Sequence, residues 1–149
     1  MGLCSFDYRL EYRGQKASSL LNHWGESGSL RLEGRILPIR KGGFFSGRWT
    51  LYFDGTELAT AQKTGLFSRT SEVTCGDRHL LVHGESLFSR AVRIEENDRL
   101  LGRVVPVHPF TKRASMEVFQ EEEDFILLAF LFWLVQMTWR RRAHNSRAT

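Results

Sequence analysis

Among the fifteen positions from residue 125 to residue 139 only two side chains are polar, Gln136 and Thr138. A helix that is apolar on every side leaves no face for water to wet, so protein or lipid must enclose it. The rest of the chain must therefore either build that enclosure or ride as the head of a membrane anchor. Every other reading of this sequence depends on which of the two it does.

Length favours protein. Fifteen helical residues span roughly 22 Å, short of the ~30 Å hydrocarbon core of a bilayer. Topology points the same way. Residues 1–13 carry Asp7, Arg9, Glu11 and Arg13 with no apolar run, so no signal peptide is expected and the body of the chain is expected in the cytoplasm. A spanning helix would then push Arg140, Arg141 and Arg142 to the far side, against the positive-inside tendency. Acids at positions 121–124 and the bases at 140–142 oppose the partial charges of a helix dipole, which marks the two ends without naming the enclosure. The alternative kept open is a single-pass, tail-anchored protein with a cytoplasmic β-domain and residues 125–139 as its anchor.

Residues 1–120 read as short strands. Asp54-Gly55 between two alternating runs is a hairpin signal. Turns are expected also at Cys75-Gly76-Asp77-Arg78 and at Glu96-Asn97-Asp98, while Pro106 and Pro109 should mark a bend, bulge or edge. Residues 6–12 and 30–39 each read as one strand, and residues 15–24 as a loop or one helical turn. Phe45, Phe67, Phe88 and Phe110, each followed by a hydroxyl and then a base, recur at spacings of 22, 21 and 22 residues. One such period fits two short strands with their turns.

The strand count meets the need of the helix. An eight-stranded barrel holds only its own side chains. Enclosing a helix ~10–12 Å across needs on the order of eleven or twelve strands. The expected fold is therefore mainly β: a closed antiparallel barrel of about 10–12 short strands around a C-terminal helix. One domain over residues 1–142 is expected, with the helix at 124–140 and a disordered basic tail at 143–149.

This order, carried by residues 125–139 and by the hairpins at 49–61 and 92–105, resembles the tubby C-terminal-like superfamily. That group includes tubby-like proteins, LURP-one-related plant proteins and phospholipid scramblases. The resemblance covers most of the chain and is architectural. It implies a roughly twelve-stranded barrel closed around the terminal helix and, in some members, binding to phosphoinositides or membrane surfaces.

No motif carries catalysis. The glycines of residues 42–47 are spaced like a phosphate loop, but Arg48 and Trp49 stand where Lys and Ser or Thr are needed. His79 and His83 share a strand face without further metal ligands. Ser86 lacks the second glycine of a nucleophile elbow. The acidic runs at 95–98 and 121–124 read as a solvated hairpin tip and an exposed helix start. Cys4 and Cys75 read as reduced thiols. The reading is a non-enzymatic binding or scaffold domain with no catalytic residue, cofactor or metal. Arg48, Arg69, Arg90, Lys112 and Arg113 recur with the repeat and are the candidate contacts for an anionic ligand. The expected partner is an anionic membrane surface or a phosphoinositide-like group, and no nucleic acid. Against this stands the plainer reading of the same bases as solvated strand ends paired with Glu57, Glu72, Glu95 and Glu117.

Overall fold

The computed structural model describes residues 6–21, 27–42, 47–65, 69–85, 89–106, 114–120, 122 and 124–148. Among these residues eleven strands follow one another in chain order: β1 (Phe6–Tyr12), β2 (Gln15–Leu21), β3 (Gly28–Leu32), β4 (Arg35–Gly42), β5 (Arg48–Phe53), β6 (Thr56–Lys63), β7 (Thr70–Cys75), β8 (Arg78–Gly84), β9 (Val92–Glu96), β10 (Arg99–Pro106) and β11 (Ala114–Val118). They form one sheet in which each pairs antiparallel with its neighbours in sequence. One helix is found among the described residues, α1 (Phe125–Ala148), and it follows the strands.

Two kinds of connection alternate, and they define two ends of the sheet. At one end the strands turn within two residues. Arg13-Gly14, Glu33-Gly34 and Asp54-Gly55 all hold positive φ, as do Asn97 and Asp98. This is the backbone that matches the right-handed twist of a hairpin. Longer connections lie at the other end, and the recurring Phe positions fall in them, outside the described residues, as does Pro109. The 21–22-residue period is thus one strand pair with one tight turn and one long connection.

Two of these turns correct the sequence reading. Residues 30–39 are not one strand but β3 and β4 around Glu33-Gly34, and residues 15–21 are strand β2 rather than loop or helix. Arginine and glutamate stand where Asn or Asp is the usual signal, with φ of 50° at Arg13 and 49° at Glu33. The glycine that follows each adopts its own positive φ without steric cost.

Inward residues of β2 to β10 form one core with the helix. Leu21, Leu30, Leu37, Leu51, Val73, Leu80, Ile94, Leu101 and Val104 are all at most 2% exposed, and they pack with Phe130, Leu131, Trp133 and Val135 of α1. The helix is buried on every side from Leu127 to Met137. Each large apolar side chain among them contributes about 1.5–3 kcal/mol of burial before entropy is subtracted. The dry helix is therefore enclosed by protein. Among the described residues no helix is long and apolar enough to cross a membrane.

The barrel, however, is not closed. Among the described residues β1 and β11 each have a strand partner on one side only. Parity works against closure. In an antiparallel meander strand direction alternates, so the first and eleventh strands run the same way. Closure would need a parallel pair among antiparallel ones, the less favourable ladder. The helix also continues past the expected end at residue 140, to Ala148, through the segment expected as a tail. Residues 125–148 contain no Gly or Pro to stop it.

Two buried residues, Ser19 and Gln136, carry side-chain polar atoms without a hydrogen-bond partner among the described residues, and Gln136 is the larger. Gln136 is 2% exposed, and neither Oε1 nor Nε2 has a hydrogen-bond partner among the described residues. A buried amide without partners costs about 1–3 kcal/mol. Replacing Gln136 by the similarly shaped methionine is expected to stabilise the fold by about 1–2 kcal/mol. The urea midpoint should rise with an unchanged slope.

Candidate functional site

The helix threads the sheet from the tight-turn end to the long-connection end, and each end fixes it differently. At the tight-turn end Arg78, first residue of β8, holds two carboxylates at once. Its Nε and Nη2 donate to Glu96 at 2.8 and 2.9 Å, while Nη1 and Nη2 donate to Glu122 at 2.9 and 2.7 Å. Glu122 is 5% exposed and Asp124 half-buried, so these two members of the run at 121–124 are not the exposed acids expected from sequence, and Glu121 and Glu123 lie outside the described residues. Glu96 is likewise no solvated tip, although Asn97 and Asp98 are exposed.

The clamp continues into the helix. The Asp124 amide donates to Glu122 Oε1 at 3.0 Å, and Asp124 Oδ1 accepts the Leu127 amide at 3.0 Å, as an N-cap does. The Cys75 thiol donates to Asp124 Oδ2 at 3.9 Å. Burial, and then the Asp124 charge, push that thiol above its ordinary value, which keeps it protonated and unreactive.

At the other end the helix emerges among bases. The Trp139 Nε1 donates to the Arg90 carbonyl at 2.7 Å, and the Arg90 guanidinium lies 5.5 Å from the Trp139 ring centre. Arg141 lies 5.7 Å from the ring centre of Trp49, a buried residue of β5. Arg48 opens β5, paired in register with Gly42 and Gln62, and is exposed. Arg69 is exposed at the entry to β7, its Cδ 3.8 Å from where a Cβ on Gly84 would stand. Lys112 and Arg113 lie outside the described residues.

A search of family models, curated proteins and solved structures finds no match to this chain. The reading of the site therefore rests on geometry.

That geometry brings Arg48, Arg69 and Arg90 to the sheet end where Arg140 and Arg141 leave the core. The long strand-to-strand connections all lie at this end, so a base placed once per repeat falls there each time. The flanking acids have neighbours of their own. Arg103 binds Glu85 through Nε and, at 2.8 Å, through Nη2, which lowers the Glu85 carboxyl below its usual range. Glu95 lies 3.4 Å from His83 Nε2 and 3.5 Å from Arg93. His79 is exposed on the same face, and among the described residues no group of His, Cys, Asp and Glu could hold a metal ion. Ser86 falls outside the described residues.

Sequence reasoning missed the Arg78 clamp, because its partners stand 18 and 44 positions away. Arg141 was read from sequence within the triplet 140–142, as a short basic cluster that could touch anionic lipid, and not together with the repeat.

Proposed function

We propose that the chain is a non-enzymatic docking domain whose long-connection end binds anionic phospholipid surfaces. The observation that supports this is the convergence of Arg48, Arg69, Arg90, Arg140 and Arg141 on one end of the sheet, around the exit of the helix. The net charge of +4 works in the same direction. So does the tubby-like resemblance, through the phosphoinositide-binding members of that group. Guanidinium groups suit phosphate because their planar forks donate two bonds to one phosphate at a time. Arg90 and Arg141 lie over indole rings, which limits the freedom they lose on engaging a headgroup.

A basic residue near an anionic membrane contributes about 1 kcal/mol. In co-sedimentation at low salt, the chain is expected to partition onto phosphatidylcholine vesicles containing phosphatidylserine and not onto phosphatidylcholine alone. The pair R48Q and R69Q should weaken that partition by about 2 kcal/mol, roughly thirtyfold. Equal recovery on neutral and anionic vesicles overturns the proposal.

A further inference from the structure

The open seam of the sheet is the second feature that asks for a ligand. Between the two unpaired edges lies a cleft of about 200 Å³. Leu10 and Tyr12 of β1 form one wall, Ala114 and Met116 of β11 the other, and Leu128 and Phe132 of the helix the floor. The four wall residues pack against the core yet stay only half-buried, because each edge lacks a neighbour on the seam side.

We infer that this seam binds an extended segment of a partner polypeptide, which enters as a twelfth strand antiparallel to both β1 and β11. Three observations fix that occupant. First, the two edges run in the same direction, so one strand of opposite direction makes the favoured antiparallel ladder with both. Second, a lipid tail or small apolar molecule would fill the floor but leave both edges' backbone N–H and C=O groups unanswered; a strand answers them. Third, the outward residues of the β1 lip alternate in charge. Arg9 and Glu11 are exposed, with the inward Leu10 between them.

That alternation reads out a sequence. Cross-strand partners share a face, and opposite charges across a pair stabilise it. An antiparallel strand meets Tyr12 first, then Glu11, Leu10 and Arg9. Its matching order is apolar, base, apolar, acid, with the apolar side chains pointing at Leu128 and Phe132. A small side chain suits the inward positions, since the cleft is on the scale of a few apolar side chains.

The test uses the full chain and two synthetic peptides, acetylated and amidated. The first is Thr-Val-Lys-Val-Glu-Val-Thr; the second exchanges its Lys and Glu. Hydrogen–deuterium exchange should slow at the amides of both β1 and β11 when the first peptide is added, saturably with concentration. The exchanged peptide should bind about tenfold more weakly, because both cross-strand charge pairs reverse. Protection of β1 alone, protection of neither edge, or equal binding of the two peptides overturns the inference. So does a mass in solution of two chains with both edges already protected, which would make a second copy the occupant. Vesicle binding engages the long-connection end, so neither outcome there bears on the seam.

Discussion

Replacing Arg78 with methionine is expected to cost about 3–5 kcal/mol of unfolding free energy, measured by urea denaturation. The arginine satisfies Glu96 and the 5%-exposed Glu122 together. Removing it leaves two carboxylates facing each other, one of them out of reach of water. The loss comes mainly from stranding these charges, since a buried ion pair is worth far less than the cost of breaking it. A second substitution separates the two. Adding Glu122→Gln to the methionine variant should recover part of the loss by removing the buried charge. If the double variant is as unstable as the single, charge stranding is not the cause. The same substitution should loosen the helix start, because Glu122 also accepts the Asp124 amide. Faster hydrogen exchange over the first turn of α1 would show this.

Trp133→Ala is expected to be as severe, about 3–5 kcal/mol. The residue is fully buried, lies near-parallel to Phe130 with ring centres 6.4 Å apart, and donates through Nε1 to the Leu20 carbonyl at 3.1 Å. Alanine would leave a cavity in the middle of the enclosure. Trp133→Phe keeps most of the volume and loses the hydrogen bond, so about 1–2 kcal/mol is expected. A phenylalanine variant as unstable as the alanine one would show that the indole N–H, not its bulk, dominates. The site is tight on the sheet side too. A Cβ on Gly28 would stand 2.0 Å from the Leu20 carbonyl oxygen and 2.7 Å from the indole nitrogen, so only glycine fits there.

How far the sequence could be read depended on how local each signal was. The hairpin at Asp54-Gly55 was legible because aspartate and glycine both tolerate positive φ, and β5 fills the run of residues 48–53 that leads into it. Arg13-Gly14 and Glu33-Gly34 were not, since Arg and Glu carry no turn preference and the paired strand decides for them. The enclosed helix was legible from its lack of a polar face. The open seam was not, because parity depends on counting every strand, and two of them were hidden by those turns. Of the basic site, Arg48, Arg69 and Arg90 were legible through the 21–22-residue period, which places them at one sheet end before any coordinate is known. The clamp around Arg78 depends on partners far apart along the chain, and nothing near residue 78 announces them.

The position of the helix after all eleven strands has a consequence for the order of events during synthesis. Every strand meets its partner next in sequence, so hairpins can pair as they emerge, with little loop closure to overcome. Yet the inward faces of all eleven strands wait for residues 125–137 before they have anything to cover them. Until then the growing chain is a sheet with its apolar side bare, the kind of intermediate that aggregates. Nascent chains arrested before residue 125 should therefore draw chaperones, and release of the helix is the step that commits the whole sheet to its native curvature.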